Sequence, residues 1–448
     1  MSLPPLWKTF LVFLGPMILS NILQALSGTL NNIYLGQMLG VGALAAVAAF
    51  FPILFLFISF IIGLGAGASV LIGQAYGAQK LETVKAVAGT TLTMAMLLGA
   101  LVAIFGGAFT GPMLKLVGTP ADILPDATAY ARIMLIAMPG LFVFLLMTSM
   151  MRGVGDTVTP LYALTLSTAT GLIVTPALIK GWFGLPQLGI ISGACASIVS
   201  FLVALIWLFF YMRRRGHPLA PDAVLIRHLR IDWKLLRSVL RIGIPSGVQL
   251  ILVSLAEIAV LALVNSFGSD ATAAYGTVNM VINYVQFPAI SIAITVSILG
   301  SQAIGAGRIE TLGIITRTGI QLSLIITGGL VVICYLFSRT LIGFFITSEP
   351  VIELAQTLLH IVLWGYIIFG MSSVLAGVMR ASGTVLVPTL ISIIAIVFIE
   401  VPVAYLLSGH FGINGVWAAY PIAYILMLAM QASYYQFVWR KKAIRRMI

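Results

Sequence analysis

Of the twelve acidic residues in this 448-residue chain, only Glu257 and Glu400 fall well inside long apolar segments. An ionised carboxylate at mid-membrane costs at least about 2.5–3.5 kcal/mol on insertion scales, so such a group normally faces a cavity, has a partner or stays protonated. Reversible cation binding is the chemistry that this placement suits. A structural reading stands beside it for each residue. Glu257 could serve as an interhelical hydrogen-bonding group. Glu400, two residues before Pro402, could accept bonds from backbone groups that the proline frees, or pair with a neighbouring helix. Gln249 precedes Glu257 by eight residues, about 80° around a helix, so the two share a face. Tyr275, Asn279, Asn283 and Gln286 also fall within about 80° of arc, and so do Asn21, Gln24 and Asn31, with Gly28 between them. Phenols and amides around a carboxylate suit an organic cation, the ring faces holding its charge and the carboxylate setting its sign. The competing reading is hydrogen bonding between packed helices, which is common in membrane bundles.

No other spacing in the chain is reactive. It has no His-rich or Cys-rich metal pattern, no nucleophile motif and no phosphate-cradling loop, which argues against an enzyme. No cofactor is expected, only a coupling ion: a proton, or sodium held near Glu257. Cys195 and Cys334 both sit inside apolar segments and imply no disulfide framework. His360 and His410 read as packed or interfacial side chains. Met147, Met150 and Met151 fit a pliable pocket, but more simply fit packing or lipid contact.

These residues must be positioned by membrane-spanning helices. Hydrophobic residues make up 60% of the chain and charged residues 8%, a composition that no water-soluble domain of this length tolerates. The apolar residues run in blocks of about 20 to 30, long enough for helices to cross ~30 Å of hydrocarbon and too long for the strands of a barrel. Twelve spans are expected, over 10–34, 44–73, 86–107, 126–151, 159–180 and 189–212, then 237–263, 272–303, 314–336, 351–377, 385–407 and 412–438. The start, MSLPPLWKTF, runs into the first span with no small-residue cleavage site, so no removable signal peptide is expected.

Placing both termini in the cytoplasm puts twenty of the 24 basic residues on the inner side. The net charge of +12 therefore fits the anionic inner leaflet and needs no nucleic acid. The polar stretch 213–236 separates a six-helix bundle over 1–212 from a second over 237–448. Its Pro218 and Pro221 break any continuous helix, while 226–236 has the pattern of a short amphipathic helix on the membrane surface.

The two bundles are copies. SVLIGQAYGAQKLET (69–83) returns as SILGSQAIGAGRIET (297–311), a shift of 228 residues, and MMRGVGDTVTP (150–160) meets VMRASGTVLVP (378–388) at the same shift. Arg152 and Arg380 match in this alignment, and their place at cytoplasmic helix ends suggests anchoring. Pro16/Pro245 and Pro176/Pro402 recur near it, which places bends at equivalent levels. Six spans per copy give both copies the same orientation. The expected fold is therefore an all-α polytopic membrane protein, with twelve transmembrane helices in two parallel six-helix repeats and a central cleft.

The order of motifs resembles the multidrug and toxic compound extrusion (MATE) transporters of bacteria. Gly15–Pro16 is followed by NIYLGQMLG (32–40), GQAYGAQ (73–79), MRGVGDTVTP (151–160), IGIPSGVQ (242–249) and EVPVAYLLSGHFGINGVWAA (400–419), so the resemblance covers essentially the whole chain. It implies a twelve-helix exporter of cationic amphiphiles, exchanged for protons or sodium. Many relatives carry an Asp five residues before the glycine matched by Gly36. That position here is Asn31, which can coordinate sodium or orient water but cannot carry a proton near neutral pH. Relatives often place a carboxylate on the seventh helix, in one subgroup about a turn earlier than Glu257, at Val253 here.

The resulting expectation is a monomeric secondary antiporter of the bacterial inner membrane, working by alternating access on organic cations and contacting membrane lipids. Cation coupling is assigned to Glu257, Glu400 and Asn31. Substrate binding is assigned to Tyr275, Asn279, Asn283, Gln286, Gln249, Asn21 and Gln24. Two other readings compete with it. A flippase for lipid-linked precursors would need a cationic cavity, which the acidic mid-span charges disfavour; the third is a channel or non-transporting membrane scaffold, and the two unequal halves and the absence of a repeated charged ring speak against a pore.

Overall fold

A computed structural model describes residues 5–448, and these are helical with no strand among them. Eleven helices are long and apolar enough to cross a membrane, and a bent pair supplies a twelfth span. In chain order they are α1 (Leu6–Leu39), α2 (Val41–Gly77), α3 (Leu81–Gly106), the pair α4 (Leu124–Ile136 and Met138–Gly153), α5 (Val158–Lys180) and α6 (Gly189–Arg215). The second copy has α7 (Trp233–Asn265), α8 (Ser269–Gly305), α9 (Ile309–Leu336), α10 (Glu349–Ala381), α11 (Leu386–Phe411) and α12 (Ile413–Lys441). The twelve-span, all-α architecture read from hydropathy is the one observed.

The structure corrects the sequence reading in two places. The fourth span was expected as one helix over 126–151, but α4 bends by 55° at Ala137. Pro139 starts its second segment, where a missing N–H is harmless, and a Cβ built on Gly99 of α3 would lie 2.5 Å from the Pro139 Cα. The linker does not form a helix over 226–236. A short helix, Ala223–Arg227, starts on Asp222, whose Oδ1 accepts the Leu225 N–H at 2.9 Å. Asp232 then starts α7, accepting the Lys234 and Leu235 N–H groups at 3.0 and 3.3 Å. Two N-capping aspartates ten residues apart, flanking 223–231, divide a stretch whose hydrophobic pattern alone looked continuous.

The chain divides into two compact units. One is Leu19–Ile244, and the other joins the chain up to Ile18 with Pro245–Ile448. In the first unit the linker lies on the ends of α3 and α5. Lys85 forms an ion pair with Asp222, the Thr90 hydroxyl donates to the Arg230 carbonyl at 3.1 Å, and His217 Nε2 approaches Asp156 Oδ2 at 3.2 Å. Asp156 Oδ1 accepts the Val158 and Thr159 N–H groups at 3.1 and 2.9 Å, capping α5. In the second unit Phe10 and Leu14 of α1 are buried with Ile292 and Val296 of α8 and Val374 and Val378 of α10. A larger core gathers Val278, Val285, Leu358, Leu359 and Trp417.

The repeat persists in packing. In the first unit a Cβ on Gly65 (α2) would lie 2.7 Å from the Ser149 Oγ (α4). The equivalent crossing in the second unit pairs Ala293 (α8) with Gly377 (α10), and there a Cβ on Gly377 would lie 2.5 Å from the Ala293 carbonyl oxygen. The glycine has changed helices while the close approach has stayed, as expected where backbones touch in a membrane bundle. Gly155 and Gly383, also equivalent, have φ of 93° and 79° in the turns after α4 and α10, which a residue with a Cβ adopts only with strain.

Candidate functional site

In α11 the backbone leaves α-helical geometry. Residues Ile394–Glu400 form a π-helical segment, closed by the Val401 N–H donating to the Ile396 carbonyl, and Pro402 follows at once. Pro402 has no N–H and its ring crowds the carbonyl four residues back, so the wider turn accommodates it; such segments recur at functional sites. Glu400 ends this segment and is only 2% exposed.

Four buried tyrosines on three other helices lie near it. Tyr275 (α8), Tyr366 (α10), and Tyr420 and Tyr424 (α12) all lie within electrostatic reach of Glu400 and are buried. The Tyr275 and Tyr420 hydroxyls are 2.9 Å apart. The Tyr275 ring stacks on Trp417 at 5.8 Å with 8° between planes, and Tyr366 meets Tyr424 edge to face at 5.3 Å. Trp417, Tyr420 and Tyr424 occupy one helical face at i, i+3 and i+7, which is why α12 can present all three inward. Tyrosine suits this wall because its ring packs while its hydroxyl still finds a partner.

Glu257 lies on α7, exposed, and acts electrostatically on Glu400. Two residues on, the Ala259 carbonyl accepts the Tyr405 hydroxyl at 3.1 Å, tying α7 to α11. Neither carboxylate is ion-paired with Lys, Arg or His among the described residues. The arrangement thus offers two carboxylates of one sign, one buried and one accessible, beside phenol hydroxyls and ring faces. That set can hold a small cation on oxygen ligands, or an organic cation against the rings. No group of three or more His, Cys, Asp or Glu suited to a metal ion occurs among the described residues.

The other residues singled out from sequence are distributed unevenly. On α8, Asn279 is half-buried one helical turn from Tyr275, while Asn283 is exposed and Gln286 half-buried. Gln249 on α7 lines a separate small cavity with Arg380, Thr389 and Ser392. In the Leu19–Ile244 unit, Gln24 and Asn31 line a cavity of about 190 Å³ with Ser27, Tyr34, Ser167 and Thr168, and no carboxylate contributes to it. Asn21 is half-buried on the same helix. Sequence reasoning missed Tyr366, Trp417, Tyr420 and Tyr424. The aromatic spacing of WAAYPIAY (417–424) was the available signal, but nothing local links it to Glu400.

Comparison with known proteins agrees with this architecture. The MatE family model matches residues 16–177 and again 245–406, one match in each repeat. The chain is 47% identical to the probable multidrug resistance protein YoeA of Bacillus subtilis, over 100% of this chain and 97% of that one. It is 25% identical to the probable multidrug resistance protein YpnP of the same organism, over 96% and 95%. Among solved structures, the Vibrio cholerae MATE transporter VcmN superposes with a TM-score of 0.90 at 22% identity, covering 98% of each chain. With both repeats matched by the family model and a relative of this identity along the full length, the chain belongs to the MatE family of multi-pass membrane transporters.

Proposed function

We propose that the protein is a drug-efflux antiporter that exports amphiphilic organic cations in exchange for inward-moving protons or sodium ions. The observation that carries this reading is the pairing of Glu400, buried near four tyrosines, with the accessible Glu257, neither neutralised by a basic side chain. The names of its relatives, probable multidrug resistance proteins, support the substrate class. In an alternating-access cycle Glu257 meets the cation arriving from water, Glu400 holds charge in the dry tyrosine cage, and substrate and coupling ion compete for the same negative site. One charge moving down 100 mV contributes about 2.3 kcal/mol, enough for roughly fifty-fold accumulation before any concentration gradient of the ion is added.

The same reading places both termini in the cytoplasm, a single chain as the working unit, sodium when used at Glu257, and no cofactor. Asn279, Asn283 and Gln286 would orient substrate beside Tyr275, while Gln24 and Asn31 would line a neutral, hydrogen-bonding compartment. The test is uptake of a fluorescent cation by inverted vesicles under separately imposed proton and sodium gradients. Accumulation under one gradient, lost in Glu400→Gln with normal insertion, supports the proposal. Accumulation under neither gradient, or full uphill transport by Glu257→Gln, refutes it.

A further inference from the structure

α10 is interrupted between its segments Glu349–Val362 and Gly365–Ala381. In an unbroken helix the Trp364 N–H would donate to the His360 carbonyl, four residues back. Here one oxygen from another helix serves both groups. The Tyr335 hydroxyl of α9 donates to the His360 carbonyl at 3.0 Å and accepts the Trp364 N–H at 3.1 Å, so it is spliced into the backbone ladder of its neighbour. The next bonds tighten to the i→i−3 pattern, from the Tyr366 N–H to the Leu363 carbonyl and from the Ile367 N–H to the Trp364 carbonyl, both at 3.1 Å. The Tyr335 ring meets the His360 ring edge to face at 5.1 Å, which fixes its place. No proline lies in 351–381, so no missing N–H opens the ladder and the inserted hydroxyl does.

The break leads directly into the site beside Glu400. Gly365 follows it and sits against α12, where an added Cβ would lie 3.2 Å from the Tyr424 ring and 3.3 Å from the Pro421 Cα. Tyr366 comes next, buried, with its ring 5.3 Å from that of Tyr424. In the first copy, at the 228-residue shift, Gly107 stands where Tyr335 does and Met138 where Tyr366 does. There the equivalent span bends beside Pro139, which has no N–H to satisfy. A break thus recurs in both copies, but the inserted hydroxyl and the tyrosine that follows the break occur together in the copy that carries Glu400.

We propose that Tyr335 is a positioning residue of the cation site: by holding α10 open at Trp364, it sets Tyr366 against Tyr424 and keeps Gly365 against α12. This role rests on the reading that organic cations bind beside these rings, and the test separates the two. Full-length protein labelled with fluorotyrosine is purified in detergent, and its fluorine NMR resonances are assigned through Tyr366→Phe and Tyr424→Phe. Tyr335→Phe keeps a ring on His360 but lets the His360–Trp364 bond close. The Tyr366 and Tyr424 resonances should then shift, while that of Tyr130, in the Leu19–Ile244 unit, stays in place. Binding of ethidium, an aromatic organic cation, should weaken by about three- to tenfold, the scale of one displaced ring contact. Adding Trp364→Pro supplies a residue with no N–H whose ring crowds the His360 carbonyl, so it reopens the ladder without a hydroxyl and should restore both readouts. A residue that merely stabilised the fold would not be rescued in this way. Unmoved resonances in Tyr335→Phe, moved resonances with unchanged ethidium affinity, or no restoration by Trp364→Pro would overturn the proposal. If Tyr335→Phe does not fold, Trp364→Pro alone should keep the parent resonances, and displaced ones overturn the proposal. If the parent protein binds no ethidium, the cation reading fails by itself, and the resonances alone decide whether Tyr335 places the two rings.

Discussion

Glu400 and Glu257 differ in surroundings rather than in chemistry, and the difference gives them separable roles. Glu400→Gln keeps shape and removes charge inside the tyrosine cage, so gradient-driven transport should fall to background while the detergent-purified protein keeps a single size-exclusion peak. Tyr420→Phe deletes one hydroxyl from the 2.9 Å contact with Tyr275 and leaves the ring. It should destabilise the fold by about 1–3 kcal/mol and weaken substrate binding without abolishing transport, as thermal unfolding and ligand titration would show. Outside the spans, Asp156 supplies a pH prediction. Burial alone would raise its carboxyl, but the adjoining His217 imidazole and hydrogen bonding from Thr159 outweigh burial and hold it below the usual range. A carboxylate whose folded pKa is depressed adds stability above its unfolded value of about 3.9 and loses it as pH falls through the folded value. Asp156→Asn should therefore lower stability at neutral pH and flatten the acid limb of a stability–pH curve below about pH 4.

At the scale of elements, helices meet where side chains are smallest, and the two copies solve one crossing in mirrored ways. Gly377→Ser alone should overpack α10 against α8 and cost roughly 1–3 kcal/mol. The crowding atom is the Ala293 carbonyl oxygen, which Ala293→Gly leaves in place, so thermal unfolding of the double variant should recover little of that loss. The α4 bend and the linker show why periodicity misjudged local structure. Pro139 was plainly legible as a helix breaker within 126–151, but a continuous apolar block outweighed it in the hydropathy reading. In the linker, Ile226, Leu229 and Trp233 fit one helical stripe, yet Asp222 and Asp232 each offer a carboxylate to the following amides, and local capping prevails in a stretch too short to hold a helix by propensity.

For the whole molecule, orientation follows from where basic residues fall along the chain, and it can be checked directly. Reporters fused after residue 448 and within 216–222 should both report the cytoplasmic side, and a periplasmic signal from either would reverse the proposed topology. The sequence by itself determined the membrane class, the span count, the duplication and the two intramembrane carboxylates, because these depend on composition, segment length and order along one chain. The MatE matches at 16–177 and 245–406 fall on the same two copies. Only the tertiary structure decided that Tyr275, Tyr366, Tyr420 and Tyr424 lie near Glu400, that Gln249 turns to Arg380, and that Gln24 and Asn31 line a cavity without a carboxylate. Helical periodicity tells which residues of one helix share a face. Which faces of α8, α10, α11 and α12 meet depends on the fit of small residues at their crossings and on the π-helical segment before Pro402, neither of which a linear pattern encodes.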